Sequence, residues 1–292
     1  VVLTLSGAMT IAKMGKVISK MIDAGMVQAV VSTGALMAHG MSEAVGLTHY
    51  RHDPAMSDEE LFDKGYNRVY DTLEMESNLN YVEAFTSKAL DRLSGEGELS
   101  SEIVNRALGQ VLAEDEQASG VLRSAYLKNV PVYVPAFTDS ELGLDLSTWA
   151  MKKAQARGVT SPLELFDHRP RFNPFLDLNS FARLALGAKR LGIFTVGGGV
   201  PRNWAQEVGP YVDVTNHRLG LDLTPPRYTY AVRLCPEPGH WGGLSGCTYS
   251  EGVSWGKFVP VSEGGRFAEV YADATTVWPL LMKGVLEELG LS

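Results

Sequence analysis

The chain has 292 residues, 45% of them hydrophobic, enough for one large α/β domain with a sizeable buried core. A net charge of −8 argues against a nucleic-acid backbone as partner and suits a cationic small molecule. Two cysteines, Cys235 and Cys247, make a disulfide framework a poor fit and a reducing cytoplasm the expected compartment. No uninterrupted apolar run reaches the roughly 18 residues that span a bilayer, so no membrane partner is expected.

In chain order, Val1 to Leu5 reads as a core strand without the basic start of a signal peptide. It lacks an initiating Met, so native sequence is expected before it. The strand ends at Ser6-Gly7. Ile11, Met14, Ile18, Met21 and Ile22 then recur at helical spacing up to Gly25. Val27 to Val31 reads as the next strand, ending Ser32-Thr33-Gly34, which predicts a right-handed strand–helix–strand unit. Residues 76–126 read as mainly helical, with Glu114-Asp115-Glu116 on a solvated helix face. Val130 to Phe137 reads as a strand ending in Thr138-Asp139, and 161–175, with three prolines, as a loop. A helix over Phe181–Leu191 leads to a strand at Gly192–Val196 and then Gly197-Gly198-Gly199. Tyr228–Leu234 and Ala268–Tyr271 read as strands and Val277–Leu289 as a closing helix. The alternation predicts an α/β fold with a mostly parallel sheet flanked by helices. No linker divides the chain, so residues 1–292 read as a single domain.

Ligands of open α/β sheets bind outside the carboxyl ends of the strands. Here those ends carry Ser6-Gly7, Thr33-Gly34-Ala35, Thr138-Asp139 and Gly197-Gly198-Gly199. Small residues let backbone N–H groups approach a ligand, and helix N-termini favour phosphates; tight turns between elements explain the same residues. Asp139 suits ribose hydroxyls or a helix cap. A first-turn Gly-x-Gly-x-x-Gly is absent. His39, His49, His52 and Asp53 form a local cluster of zinc-ligand types. His49 and His52 sit in a Gly- and Pro-bounded loop without helical pairing, so pocket or loop histidines are the better reading, and His39 and Glu43 are candidates to face a ligand. No serine lies in a Gly-x-Ser-x-Gly context.

One segment stands apart: Glu251-Gly252-Val253-Ser254-Trp255-Gly256-Lys257, downstream of a glycine-rich run from Gly239 to Gly246. A free lysine amine beside an aromatic ring can attack a carbonyl or imine carbon to form a Schiff base. A surface lysine after a turn gives the same spacing. Trp241 and Trp255 suit either an amine pocket or core packing.

This segment, with Val270-Tyr271-Ala272-Asp273-Ala274 and Pro279-Leu280-Leu281, resembles the C-terminal signature of deoxyhypusine synthases. The resemblance extends through Pro135-Ala136-Phe137-Thr138-Asp139, Gly197-Gly198-Gly199-Val200 and Thr33-Gly34-Ala35, and so covers essentially the whole chain. It implies a Rossmann-like fold, NAD as cofactor, and a homotetramer with active sites shared between subunits. It also implies a transferase that passes an aminobutyl group from a polyamine to an acceptor amine, a protein lysine in the family, through an imine on a lysine. By position, Lys257 is the nucleophile. Ser6, Thr33, Gly34, Ala35, Asp139, Gly198, Asp273 and Ala274 hold NAD. Glu251, Trp255, His39, Asn203, Gly242 and Gly243 line the amine site, with no metal.

Departures fall on that amine site. The family's paired glutamates after the Thr-Ala-Gly strand end are replaced within Leu36-Met37-Ala38-His39. Expected aspartates become Leu144 (or Asp145, one place on) and Leu244, and an expected histidine becomes Asn203. Unpaired buried ammonium groups cost several kcal/mol, so the pattern predicts a different amine, as in the bacterial deoxyhypusine-synthase-like group. A true deoxyhypusine synthase and a homospermidine-forming enzyme are the nearest variants. A non-catalytic NAD- or ligand-binding oligomer and, more remotely, a zinc hydrolase are readings of other classes.

Overall fold

The computed structural model describes residues 1–95 and 97–291. Among the described residues, nine strands run in chain order: β1 (Val2–Leu5), β2 (Ala29–Ser32), β3 (Tyr50–Arg51), β4 (Tyr66–Val69), β5 (Thr72–Met75), β6 (Val132–Tyr133), β7 (Leu191–Val196), β8 (Tyr228–Leu234) and β9 (Arg266–Val270). Six of them form one all-parallel sheet in the order β6-β2-β1-β7-β8-β9. Counted along the chain, that is the 3-2-1-4-5-6 order of doubly wound dinucleotide folds, with the strand order reversing between β1 and β7.

Alternation along the central strands explains the layers. Leu3, Leu5 and Val30 face one apolar cluster, while Val2, Ala29 and Val31 face another on the opposite side of the sheet. Both faces are covered by helices, as a parallel sheet requires. Thr4, between Leu3 and Leu5, is fully buried and donates its hydroxyl hydrogen to Thr195 Oγ1 at 2.8 Å, which satisfies a polar group inside the core.

The structure moves several expected boundaries. The first helix begins at Gly15, because residues 8–13 form turns in which Lys13 takes a positive φ of 63°. The sixth strand keeps only Val132–Tyr133 of the expected Val130–Phe137. The predicted Phe181–Leu191 helix is Pro174–Leu186, started by proline at its first turn and an Asn173 cap. Glu114 is not on a helix face; it caps the end of Ser101–Ala113 and meets Arg92 at 2.5 and 2.8 Å. A three-stranded antiparallel sheet, β3-β5-β4, was not expected from the sequence. Its strands are short, two to four residues each, so they lack an apolar alternation to read. Among the described residues, no helix is long and apolar enough to cross a membrane.

The closing helix Ala274–Glu288 is anchored by Trp278, which is fully buried and stacks near Phe194 with ring centroids 6.3 Å apart. Trp278→Ala is expected to cost about 3–5 kcal/mol, read as a lowered urea midpoint with an unchanged slope.

Candidate active site

The turns after β6, β2, β1 and β7 enclose a cavity of about 190 Å³ lined by Ser6, Thr33, Gly34, Asp139, Gly198 and Ser245, among others. It lies where the strand order reverses, the ligand position of this topology. The walls approach closely because the lining residues are small. A Cβ on Gly34 would land on the Ser140 side chain, and one on Gly198 would land on the backbone of Ser245. The Gly198 N–H donates to Ser6 Oγ at 3.1 Å, and the Ser6 hydroxyl donates back to the Gly198 carbonyl. The Thr33 hydroxyl caps its helix, accepting from the Leu36 N–H, and donates to the Gly7 carbonyl at 2.5 Å. Helices Gly34–Ala44 and Gly199–Gln206 both begin at this cavity. Their first N–H groups lack intrahelical partners and make a favourable seat for an anion. Ala35 lies one residue inside the first of these helices. Asp273 and Ala274 sit beyond β9 at the same carboxyl edge but outside the cavity lining; Asp273 caps its helix by accepting from the Thr275 N–H at 2.8 Å.

Lys257 is 8% exposed, unlike a surface lysine. Its backbone is fixed at the amino end of β8, where the Tyr228 N–H donates to the Lys257 carbonyl at 3.0 Å. Its Nζ donates to Asn203 Oδ1 at 3.0 Å and lies 2.7 Å from Glu207 Oε1. The Trp255 ring centroid is 5.8 Å away. Val200, Asn203 and Glu207 follow helical spacing along one face of Gly199–Gln206 and its cap. Val200 lines the cavity, so this face runs from the cavity to the lysine amine. Asn203 is about 6 Å along the axis from Gly199. Burial raises the Cys247 thiol above its ordinary range; a hydrogen bond with Glu251 adds to the rise, and the charge of Lys257 opposes it. Glu251 and Lys257 thus both act on the Cys247 thiol. Gly242 and Gly243 lie on an exposed loop outside the cavity lining.

Two buried arginines fix the loop between these parts. Arg202 donates to the carbonyls of Leu244 (3.3 Å), Ser245 (3.4 Å) and Cys247 (2.7 Å). Arg233, inside β8, donates to Ser245 O (2.5 Å), Cys247 O (3.0 Å) and Glu269 (3.0 Å). Both guanidinium groups lie over the Tyr249 ring, at 5.3 and 6.0 Å. Burial, followed by repulsion from Arg233, lowers the Arg202 pKa.

His39, expected to face an amine, is instead buried against Glu74 of β5. The reason is the unforeseen small sheet, which inserts a fully buried carboxylate beside the Gly34–Ala44 helix. Glu74 also accepts from the Ser42 hydroxyl and lies 3.3 Å from His49 Nε2. His49 Nδ1 lies 2.9 Å from Lys13 Nζ, and Lys13 pairs with Glu43. Burial alone would lower the His49 pKa, but hydrogen bonds with Glu43 and Glu74 outweigh it and raise it to about 8. Burial likewise opposes the charge on Glu74, yet bonds with His39, His49 and Ser42 hold it down to about 2. Of the apolar departures, Leu36 and Met37 belong to the core, while Leu144 and Leu244 are exposed. Among the described residues, no three His, Cys, Asp or Glu side chains are arranged to hold a metal ion.

A parallel α/β sheet with a glycine-walled cavity at its switch point and a buried lysine beside it defines a ligand-binding α/β protein of the doubly wound class. The family model for deoxyhypusine synthase matches residues 1–285, and the chain belongs to the deoxyhypusine synthase family. It is 33% identical to "Probable deoxyhypusine synthase 2" of Methanosarcina acetivorans, over 97% of this chain and 76% of that one. It is 31% identical to the "Deoxyhypusine synthase-like protein" of Elusimicrobium minutum, over 96% and 70%. Among solved structures it resembles that of "a putative deoxyhypusine synthase from Entamoeba histolytica", with a TM-score of 0.57 at 13% identity, over 97% of this chain and 73% of that one. The family is one of transferases that move aminobutyl groups.

Gly198→Ala is expected to destabilise the protein by about 1–3 kcal/mol through overpacking against Ser245. Gly284→Ala, in a helix with open space around it, should instead stabilise by about 0.5–1 kcal/mol; chemical denaturation of both variants checks the contrast. The His49 cluster predicts a pH profile. The folded state keeps the His49 proton up to about pH 8 against an ordinary 6.5, so its contribution is complete below about 6.5 and is lost as pH rises past 8. Glu74 contributes above its ordinary 4.5 and loses that contribution as pH falls toward 2. The melting temperature should therefore be highest between about pH 4.5 and 6.5, and His49→Gln should flatten the alkaline decline.

Proposed function

We propose that this family member is an NAD-dependent transferase that moves an aminoalkyl group from a polyamine-like donor to an acceptor amine through an imine on Lys257. The observation that carries this reading is the single helix face joining the cavity to the buried Lys257 amine, through Val200, Asn203 and Glu207. The cavity suits NAD: two helix N-termini match phosphate oxygens, glycines admit close backbone approach, and Asp139 offers acceptors to ribose hydroxyls. Ser6, Thr33, Gly34, Ala35, Asp139 and Gly198 would hold one part of it. The cavity is smaller than the roughly 300–1,000 Å³ of a full ligand pocket, so the remainder would run along the carboxyl edge toward Asp273 and Ala274. Bound NAD would accept hydride from the carbon beside the donor nitrogen and return it at the end.

The chain's own part is amine exchange. The Lys257 nitrogen bonds to the donor's imine carbon, the bond from that carbon to the donor's own imine nitrogen breaks so that this nitrogen leaves protonated as a free amine, and the acceptor amine then displaces Lys257 in the same way. Asn203 orients the lysine nitrogen. Glu251 and Trp255 bound the amine site, with Gly242 and Gly243 on its rim. The family's paired acids are replaced within Leu36-Met37-Ala38-His39, where Leu36 and Met37 belong to the core, which supports a donor other than the family's usual one. Trp241, Trp255 and Tyr271 are 70%, 64% and 57% exposed beside the site. That apolar rim suits cover by a second subunit, in a homotetramer with shared sites. Two free cysteines fit a reducing cytoplasm.

The test is borohydride trapping with NAD and a panel of polyamines and guanidino amines, each with and without an acceptor. Spermidine with a protein-lysine acceptor, or with 1,4-diaminobutane, separates a deoxyhypusine synthase from a homospermidine-forming enzyme. The expected result is added mass on Lys257 and transient NADH absorbance, with kcat lowered roughly 10³-fold or more in Lys257→Ala. A broad panel that gives neither adduct nor NADH would sink the mechanism.

A further inference from the structure

The Lys257 amine is held in an ion pair. Its Nζ is within 2.7 Å of a carboxylate, Glu207 Oε1, and 3.0 Å of Asn203 Oδ1. Both partners are oxygens, four residues apart on one helix face, and both favour an ammonium over a neutral amine. An ammonium has no lone pair with which to attack carbon. The lysine side chain is 10% exposed while the Glu207 side chain is 43% exposed. The carboxylate therefore bridges the buried amine and the solvent-facing approach, which is bordered by the exposed Trp255 ring.

We infer that Glu207 holds Lys257 in a resting ion pair, and that a cationic ligand frees the nucleophile by taking Glu207 for itself. This rests on the proposed role of Lys257 as nucleophile. The exchange conserves charge: the ligand's cation replaces the lysine ammonium on the carboxylate, and Lys257 then loses its proton to water. A neutral ligand cannot make the swap, so Glu207 selects for cationic amines before any bond forms. Asn203, a neutral acceptor, keeps the freed nitrogen on the helix face.

The experiment needs neither NAD nor the true donor. The full chain is treated at pH 7.5 with propanal and cyanoborohydride, and peptide mass spectrometry reads propylation at Lys257 against exposed Lys283. Propylation joins the lysine nitrogen to the aldehyde carbon with loss of water, and cyanoborohydride supplies the reducing hydride. Glu207→Gln is expected to speed labelling of Lys257 at least threefold while leaving Lys283 unchanged. Butylguanidinium, a cation that does not condense with the aldehyde, should speed Lys257 labelling in the unmodified protein and not in Glu207→Gln. Its effect on the unmodified protein does not depend on how the variant folds. Equal or slower labelling of Lys257 in Glu207→Gln overturns the proposal, as does indifference of the unmodified protein to butylguanidinium; both outcomes leave the nucleophile itself intact. Failure to label Lys257 in either protein, with Lys283 labelled, instead removes the nucleophile on which the proposal stands.

Discussion

The register of β1 governs the molecule. Leu5 pairs with Ser32 on one side and with Val196 on the other, so three strands end at the same level. Their turns then meet, and Ser6, Thr33 and Gly198 face one another across a single cavity. A slip of one residue would turn Leu3 and Leu5 toward the opposite apolar cluster and send the turn residues out of line. The binding cavity is thus set by the same alternation that fills the core.

The second support is electrostatic. Arg202 and Arg233 are nearly inaccessible to solvent, and Arg233 pairs with a carboxylate, Glu269. Both arginines donate to backbone carbonyls between Leu244 and Cys247. A buried cation without such partners is strongly unfavourable, so the loop is held as firmly as the arginines need it. The loop carries Ser245 into the cavity and leads into the segment that ends at Lys257.

Much of this was legible in the sequence, and the reasons are local. The strands β1, β2, β7 and β8 are apolar runs bounded by glycine or polar turns, and the small residues at their ends follow directly from parallel-sheet geometry. Lys257 is marked by its Trp-Gly neighbours, and Asn203 by the family resemblance alone. Glu207 was readable in principle, being four residues beyond Asn203 on a helix, but the helix boundary had to be known first. Arg233 was a visible signal that went unread: a charge inside an otherwise apolar strand. Glu74 had no signal, because β3, β4 and β5 are too short to show periodicity. The fate of His39 followed from that gap, since its partner comes from a strand the pattern did not reveal.

The anchoring of Lys257 at the amino end of β8 has a wider implication. The cavity hangs from the carboxyl ends of the strands, while the lysine backbone is tied to the other end of the sheet and only its side chain reaches back. The two halves of the site therefore have separate mechanical supports, joined by one short helix face. Residues around the lysine can be exchanged without disturbing the turns that form the cavity. Such a scaffold is open to divergence: one seat retained, the chamber beside it refitted for a succession of different amines.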